Sequence, residues 1–171
     1  TGMDRPRTIH DFGGFPPALH AAQYPAPGDP ALAARVAELL APALADDRFP
    51  QVRLDQDWGL DHGAWSVLLP MFPDAGIPVV QLSLARHRDG PWHYRLGRWL
   101  APLRDEGVLI VASGDMVHNL RLLRWPLDRP EPWAERVQQQ FNQWITAGDH
   151  LPLQHVDRHG HDAQLAVPTP E

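Results

Sequence analysis

Apolar positions along this chain fall into two rhythms. From Pro30 to Ala45, PALAARVAELLAPALA sets Leu32, Val36, Leu39, Leu40 and Leu44 at the spacing of one helical face. Asp29 is placed to cap that helix, Pro30 to sit in its first turn, and Pro42 to end or kink it. Pro16 to Gln23 predicts a short helix opened by proline. AWSVLLPMF, led in by Asp61 and halted near Pro70, reads as a helix, as does WHYRLGRWLAPLRDE from Trp92 to Glu106. The last helix runs from Pro130 to Ala147, with Trp133, Val137, Phe141, Trp144 and Ile145 on one face and Gly148 as its stop.

The second rhythm is the short continuous apolar run. VRL at Val52 to Leu54, IPVVQLSL at Ile77 to Leu84 and VLIV at Val108 to Val111 predict strands. The last two flank a helix, a unit for which parallel pairing and a right-handed crossover are expected. The pattern therefore predicts an α/β layer domain, with its unusual residues in loops at the sheet ends.

Composition narrows the possible functions. At 171 residues and 43% hydrophobic content, the chain suits one core-bearing domain, and 19 prolines predict many loops. The net charge is −6 and no Lys/Arg-rich run stands out, which argues against a nucleic-acid partner. No apolar stretch approaches the roughly 18 residues a membrane helix needs, so no membrane partner is expected. Cysteine is absent, which excludes thiolate chemistry and fits a reducing, cytoplasmic setting. No phosphate loop, dinucleotide fingerprint, nucleophile elbow or HExxH pattern is present.

The ten histidines carry the chemical interest. His20, His87 and His93 read as surface residues without a role, and His150 as ambiguous. His155, His159 and His161 in QHVDRHGH have the density of a metal cluster, but lie in a polar, loop-like segment. His62, in WGLDHGAWS, stands where a loop enters a helix, where free backbone donors favour anions. His118, in ASGDMVHNLR, follows a predicted strand end. Two such imidazoles can form a metal site, an acid–base pair, or neither.

The phrases TIHDFGGFPPAL, YPAPGDPALA, WGLDHGAWSVLLPMFPDAGIPVVQLSL, LRDEGVLIVASGDMVHNLR and PTPE, in that order, span nearly the whole chain. Together they resemble the 4,5-DOPA extradiol dioxygenase group of the class III (LigB-type) ring-cleaving dioxygenases. The resemblance implies a single three-layer α/β/α domain over residues 1–171, with a mostly parallel or mixed central sheet lacking the family's N-terminal strands. It implies a non-haem Fe(II) cofactor, with Zn(II) also seen in such sites. Its partners would be a catechol such as DOPA and O2, the ring opening beside the diol, and the protein a monomer or homodimer.

By the same resemblance, His118 matches the acid–base histidine of the SGxxxHNL phrase, and is also placed at or near the metal. His62, of the DHG phrase, would be a catalytic residue bonding substrate or bound oxygen. His10, Asp11 and Phe12 would lie on a substrate-binding loop. The family's further metal ligands come from an HGSP phrase, an SAHW phrase and a histidine after PTPE, none of which is in the 171 residues. The expectation is part of a longer protein, with His62 and His118 lining a metal-free concavity at the carboxyl edge of the sheet. Two competing expectations are a metal-free or inactive LigB-like interaction protein, and a zinc-binding use of His155, His159 and His161.

Overall fold

Aspartate and proline at the expected entry points set most of the helices. The computed structural model describes residues 1–45, 52–124 and 129–168. Its helices are α1 (Pro17–His20), α2 (Pro30–Leu44), α3 (His62–Met71), α4 (Gly90–Leu100), α5 (Pro132–Ala147), α6 (His150–Gln154) and α7 (Gly160–Ala166). Asp29 caps α2 by accepting from Leu32 N at 2.8 Å, and Asp61 caps α3 by accepting from Ala64 N at 3.3 Å. Pro42 and Pro70 are carried inside α2 and α3, each in the last turn, so neither helix stops before its proline. α4 is shorter at its end than the spacing predicts: Pro102 brings no N–H, and the chain tightens into a 3-10 turn at Ala101–Arg104. Gly148 ends α5 at φ 67°, a left-handed conformation that suits glycine.

The predicted central sheet is corrected by the structure. Among the described residues, β pairing is confined to one isolated parallel bridge between Thr8 and Leu60. The three apolar runs read as strands, 52–54, 77–84 and 108–111, form no ladder, so a three-layer α/β/α arrangement does not describe this chain. The reason is physical. An apolar run registers a demand for burial, whereas a strand exists only through hydrogen bonds to a neighbour. Here the demand is only partly met: Val79 packs on the core, while Leu84 is 71% and Leu109 68% exposed. The terminal PTPE phrase beyond Pro168 lies outside the described residues.

The chain divides into two compact units. The first comprises Thr1–Ser83 with Arg98–Ser113; the second comprises Leu84–Gly97 and the described residues from Gly114 onward. In the first, Tyr24, Ala26, Leu60, Trp65, Leu68 and Ala75 form a buried cluster, with Phe12, Leu19, Phe72 and Val79 packed around it. Each large side chain buried there contributes about 1.5–3 kcal/mol.

The segment from Gly2 to His10 is the thread through this unit. Gly2 N donates to Asp55 O at 2.8 Å, and the Thr8 hydroxyl accepts from Tyr24 N at 2.9 Å. Leu60 N donates to Arg7 O at 2.9 Å and Ile9 N to Leu60 O at 2.8 Å. Asp55 shapes the approach to Leu60, its carboxylate accepting from Arg53, from Asp57 N and from Trp58 N. The Arg53 bond, then those two main-chain bonds, hold its carboxyl far below the usual aspartate range.

In the second unit, Val137 and Phe141 of α5 are buried with Ala166 of α7, among Trp133, Trp144, Leu153 and Val156. The segment predicted as a polar loop after Gly148 is therefore largely helical, running through α6, a 3-10 turn at Val156–Arg158 and α7. Arg136 of α5 pairs with Asp162 of α7 at 2.7 Å.

The close approach of the thread to Gly59 is directly testable. A Cβ on Gly59 would collide with the main-chain oxygen of Arg7. Gly59→Ala is expected to destabilise the protein by about 1–3 kcal/mol, the range for overpacking, measured by urea unfolding. Unchanged stability would show that this contact is loose.

Candidate functional site

The first unit gathers its chemistry where the thread passes the start of α3. The bridge at Leu60 sets His10, Asp11 and Phe12 beside His62, the first residue of α3. Asp61 is held from two sides before the helix begins. Gln81 Oε1 accepts from Asp61 N at 3.1 Å, while Gln81 Nε2 donates to Asp61 Oδ2 at 2.5 Å. Trp58 Nε1 donates to the same Oδ2 at 3.3 Å. The entry of α3 is thus fixed by side chains from two separate stretches.

Asp11 then closes on His62. Its Oδ1 accepts from His62 N at 3.1 Å and from His62 Nδ1 at 2.8 Å. Burial pushes the Asp11 carboxyl up, but the bonds from the His62 ring and main chain outweigh it and leave it below its ordinary 3.8. The His62 side chain is 53% exposed, so a ligand has room to reach its ring.

Phe12 is the hub of an aromatic group. It meets the rings of His62 at 5.6 Å, His10 at 5.8 Å, His20 at 5.0 Å, Phe15 at 5.3 Å and Trp65 at 6.0 Å. The His62 contact is edge-to-face, at 86°. His10 Nε2 donates to Ala22 O at 2.9 Å, and Trp65 Nε1 donates to Ile9 O at 2.8 Å. The result is a cluster of rings packed mostly at steep angles, with the imidazoles of His62 and His20 exposed at its surface.

His118 belongs to the second unit, on a segment tied to the end of α7. Its main-chain N donates to Ala166 O at 3.0 Å, and Asn119 Nδ2 donates to Leu165 O at 2.7 Å. His118 is partly exposed. The SGxxxHNL phrase begins in the first unit, where Ser113 Oγ donates to Gly63 O, beside His62, at 2.5 Å.

The structure thus brings His10, Asp11, Phe12 and His62 together, and describes His118 separately within the second unit. With no sheet among the described residues, the expected placement of His62 and His118 at a sheet's carboxyl edge does not hold. His20 and Trp65 join the group although the sequence pattern gives His20 no role; their contacts depend on where α1 and α3 pack. Of the other histidines, His93 bonds Ala85 N and Asp89 O, His150 lies on Tyr94 and His159 on Trp144. Among the described residues no three His, Cys, Asp or Glu side chains converge as a metal ion requires. His155, His159 and His161 do not form such a group, and the described residues by themselves do not fit a metal centre.

Comparison with known proteins gives the family of the chain. The chain belongs to the family described as the catalytic LigB subunit of aromatic ring-opening dioxygenase, which matches residues 2–168. Within it, the chain is 48% identical over 181 residues to the 4,5-DOPA dioxygenase extradiol of Escherichia coli (strain K12), covering 100% of this chain and 62% of that protein. It is 43% identical over 164 residues to the 4,5-DOPA dioxygenase extradiol of Beta vulgaris, covering 96% and 60%. The crystal structure of an uncharacterized protein from Escherichia coli K12 superposes with a TM-score of 0.69 at 43% identity, covering 97% of this chain and 65% of that one. The chain therefore spans about three fifths of the length of these curated relatives. The family resemblance read from the sequence phrases is borne out.

The Asp11–His62 bond has a pH signature. A carboxyl held below its ordinary value stabilises the fold above that value and loses the contribution as pH falls through its folded value. The stability of the protein relative to Asp11→Asn should shrink as pH falls below about 5, followed by urea unfolding across pH. A difference that stays flat down to about pH 2 would contradict the assignment.

Proposed function

We propose that the protein is an extradiol ring-cleaving dioxygenase that inserts both atoms of O2 into a catechol such as DOPA, opening the ring beside the diol. The observation that carries this reading is the Asp11–His62–Phe12 assembly around the DHG phrase, in a chain of the ring-opening dioxygenase family. Fe(II) belongs to the proposal as the cofactor, with Zn(II) able to take its place in purified protein. The described residues alone do not supply its ligand set, so the chemistry assigned to this chain is that of its own side chains. A cytoplasmic setting is part of the same reading; among the described residues, no helix is long and apolar enough to cross a membrane.

In this reading the ring cluster of Phe12 and His10 receives the catechol ring, excluding water from one face. His62 then bonds a substrate hydroxyl or bound oxygen through its open ring nitrogen. His118 is the proposed acid–base residue, near the metal or on it, taking a proton from the catechol and returning one as the ring opens. A flat aromatic substrate suits such a cluster, because its faces pack on rings while its edge hydroxyls need polar partners.

The test is ring cleavage in the complete, Fe(II)-loaded protein, followed as formation of the yellow semialdehyde from DOPA together with oxygen uptake. His118→Ala should lower turnover by about 100-fold to 10,000-fold while leaving the unfolding transition nearly unchanged. His62→Ala should have the smaller effect and fall more on substrate affinity. Wild-type turnover in His118→Ala would remove the acid–base assignment. Absence of both cleavage and oxygen uptake in the wild-type protein would favour a LigB-like interaction protein instead.

A further inference from the structure

We propose that Asp11 is a positioning residue for His62: its carboxylate holds the imidazole in the Nδ1–H form and leaves Nε2 as the open acceptor of the site. The use of that acceptor by substrate rests on the function proposed above; the positioning itself rests on geometry alone.

Three restraints act on one ring. Asp11 Oδ1 accepts from His62 Nδ1 at 2.8 Å, and an ionised carboxylate can only accept, so the shared hydrogen belongs to Nδ1. The same oxygen accepts from His62 N at 3.1 Å, so backbone and ring converge on one atom and the side-chain torsions are fixed together. Phe12 then meets the ring edge-to-face at 5.6 Å. With Nδ1 committed, a neutral His62 has its lone pair on Nε2, where a phenolic hydroxyl would donate.

His10 supplies the internal contrast. Its Nε2 faces the carbonyl of Ala22 at 2.9 Å, and a carbonyl also only accepts, so His10 carries its hydrogen on Nε2. His10 and His62, two of the three imidazoles packed on Phe12, are therefore held in opposite forms. His10 commits its Nε2 to the backbone, while His62 keeps the corresponding nitrogen open. Exchanging the roles would require breaking both bonds. Asp11 thus selects which histidine of the pair can receive a proton from a ligand.

Long-range nitrogen–proton NMR correlations of the imidazoles in the ¹⁵N-labelled protein test this directly, at alkaline pH where neutral rings dominate. The His62 signals are identified by their loss in His62→Gln. The expected wild-type pattern is protonated Nδ1 and bare Nε2 at His62, with the reverse at His10. Asp11→Ala should shift the His62 ratio toward Nε2–H by about threefold or more, the scale of a partly exposed charged pair. Asp11→Asn, which keeps size and an acceptor oxygen but loses the charge, should shift it in the same direction and covers the case in which the alanine variant does not fold. Nε2–H at His62 in the wild type, or an unchanged ratio in Asp11→Asn, overturns the proposal. L-DOPA added to the wild type should move the His62 Nε2 resonance. If it does not, the substrate role of His62 fails, while the positioning role of Asp11 still stands or falls on the tautomer alone.

Discussion

Two main-chain hydrogen bonds, between Arg7–Ile9 and Leu60, are the constraint from which the site in the first unit follows. They join the thread near the start of the chain to the residue just before the cap of α3. Because Leu60 is fully buried and Gly59 has no side chain, the two segments approach closely enough to bond through their backbones. Once Ile9 is fixed there, the next three residues have little choice. His10 turns to the Ala22 carbonyl, Asp11 meets the first turn of α3, and Phe12 lies among the rings. Gln81 and Trp58 hold the other side of the same junction by bonding Asp61.

This construction explains how a partly exposed imidazole can be well defined. A solvated histidine ordinarily loses side-chain freedom only at an entropic cost that a single surface bond scarcely offsets. Here the cost is spread over a helix entry that forms in any case, and the carboxylate that holds the ring also satisfies a main-chain N–H. The His118 segment is anchored in a similar way in the second unit. Its backbone and the neighbouring Asn119 side chain take up Ala166 and Leu165 carbonyls at the end of α7. A helix end leaves those carbonyls without helical partners, and the HNL phrase uses them.

What is legible in the sequence is local. Asp29 and Asp61 announce their helices because a capping carboxylate acts within three residues of itself, and Gly148 announces an end because its backbone does. The phrases around His62 and His118 carry the family. The strand expectation fails because VLIV and IPVVQLSL record only that their side chains are apolar; whether a neighbour pairs with them lies elsewhere in the chain. α7 escapes notice for the opposite reason. Its buried positions are Ala163 and Ala166, small residues that raise little hydrophobic signal in a stretch dominated by histidine and aspartate. His20 and Trp65 are not legible as site neighbours because ring contacts at Phe12 join residues up to 53 positions apart (12 to 65).

The Arg7–Ile9 and Leu60 pairing is, on this account, the firm element on which the Asp11–His62 site is built. Native-state amide hydrogen exchange reads it residue by residue, since protection reports the free energy of opening each bond. Ile9 and Leu60 amides should be among the most protected in the first unit, and those of Leu109, Ile110 and Val111 should exchange near the unprotected rate. Exchange of Ile9 and Leu60 as fast as that of Leu109–Val111 would contradict the account.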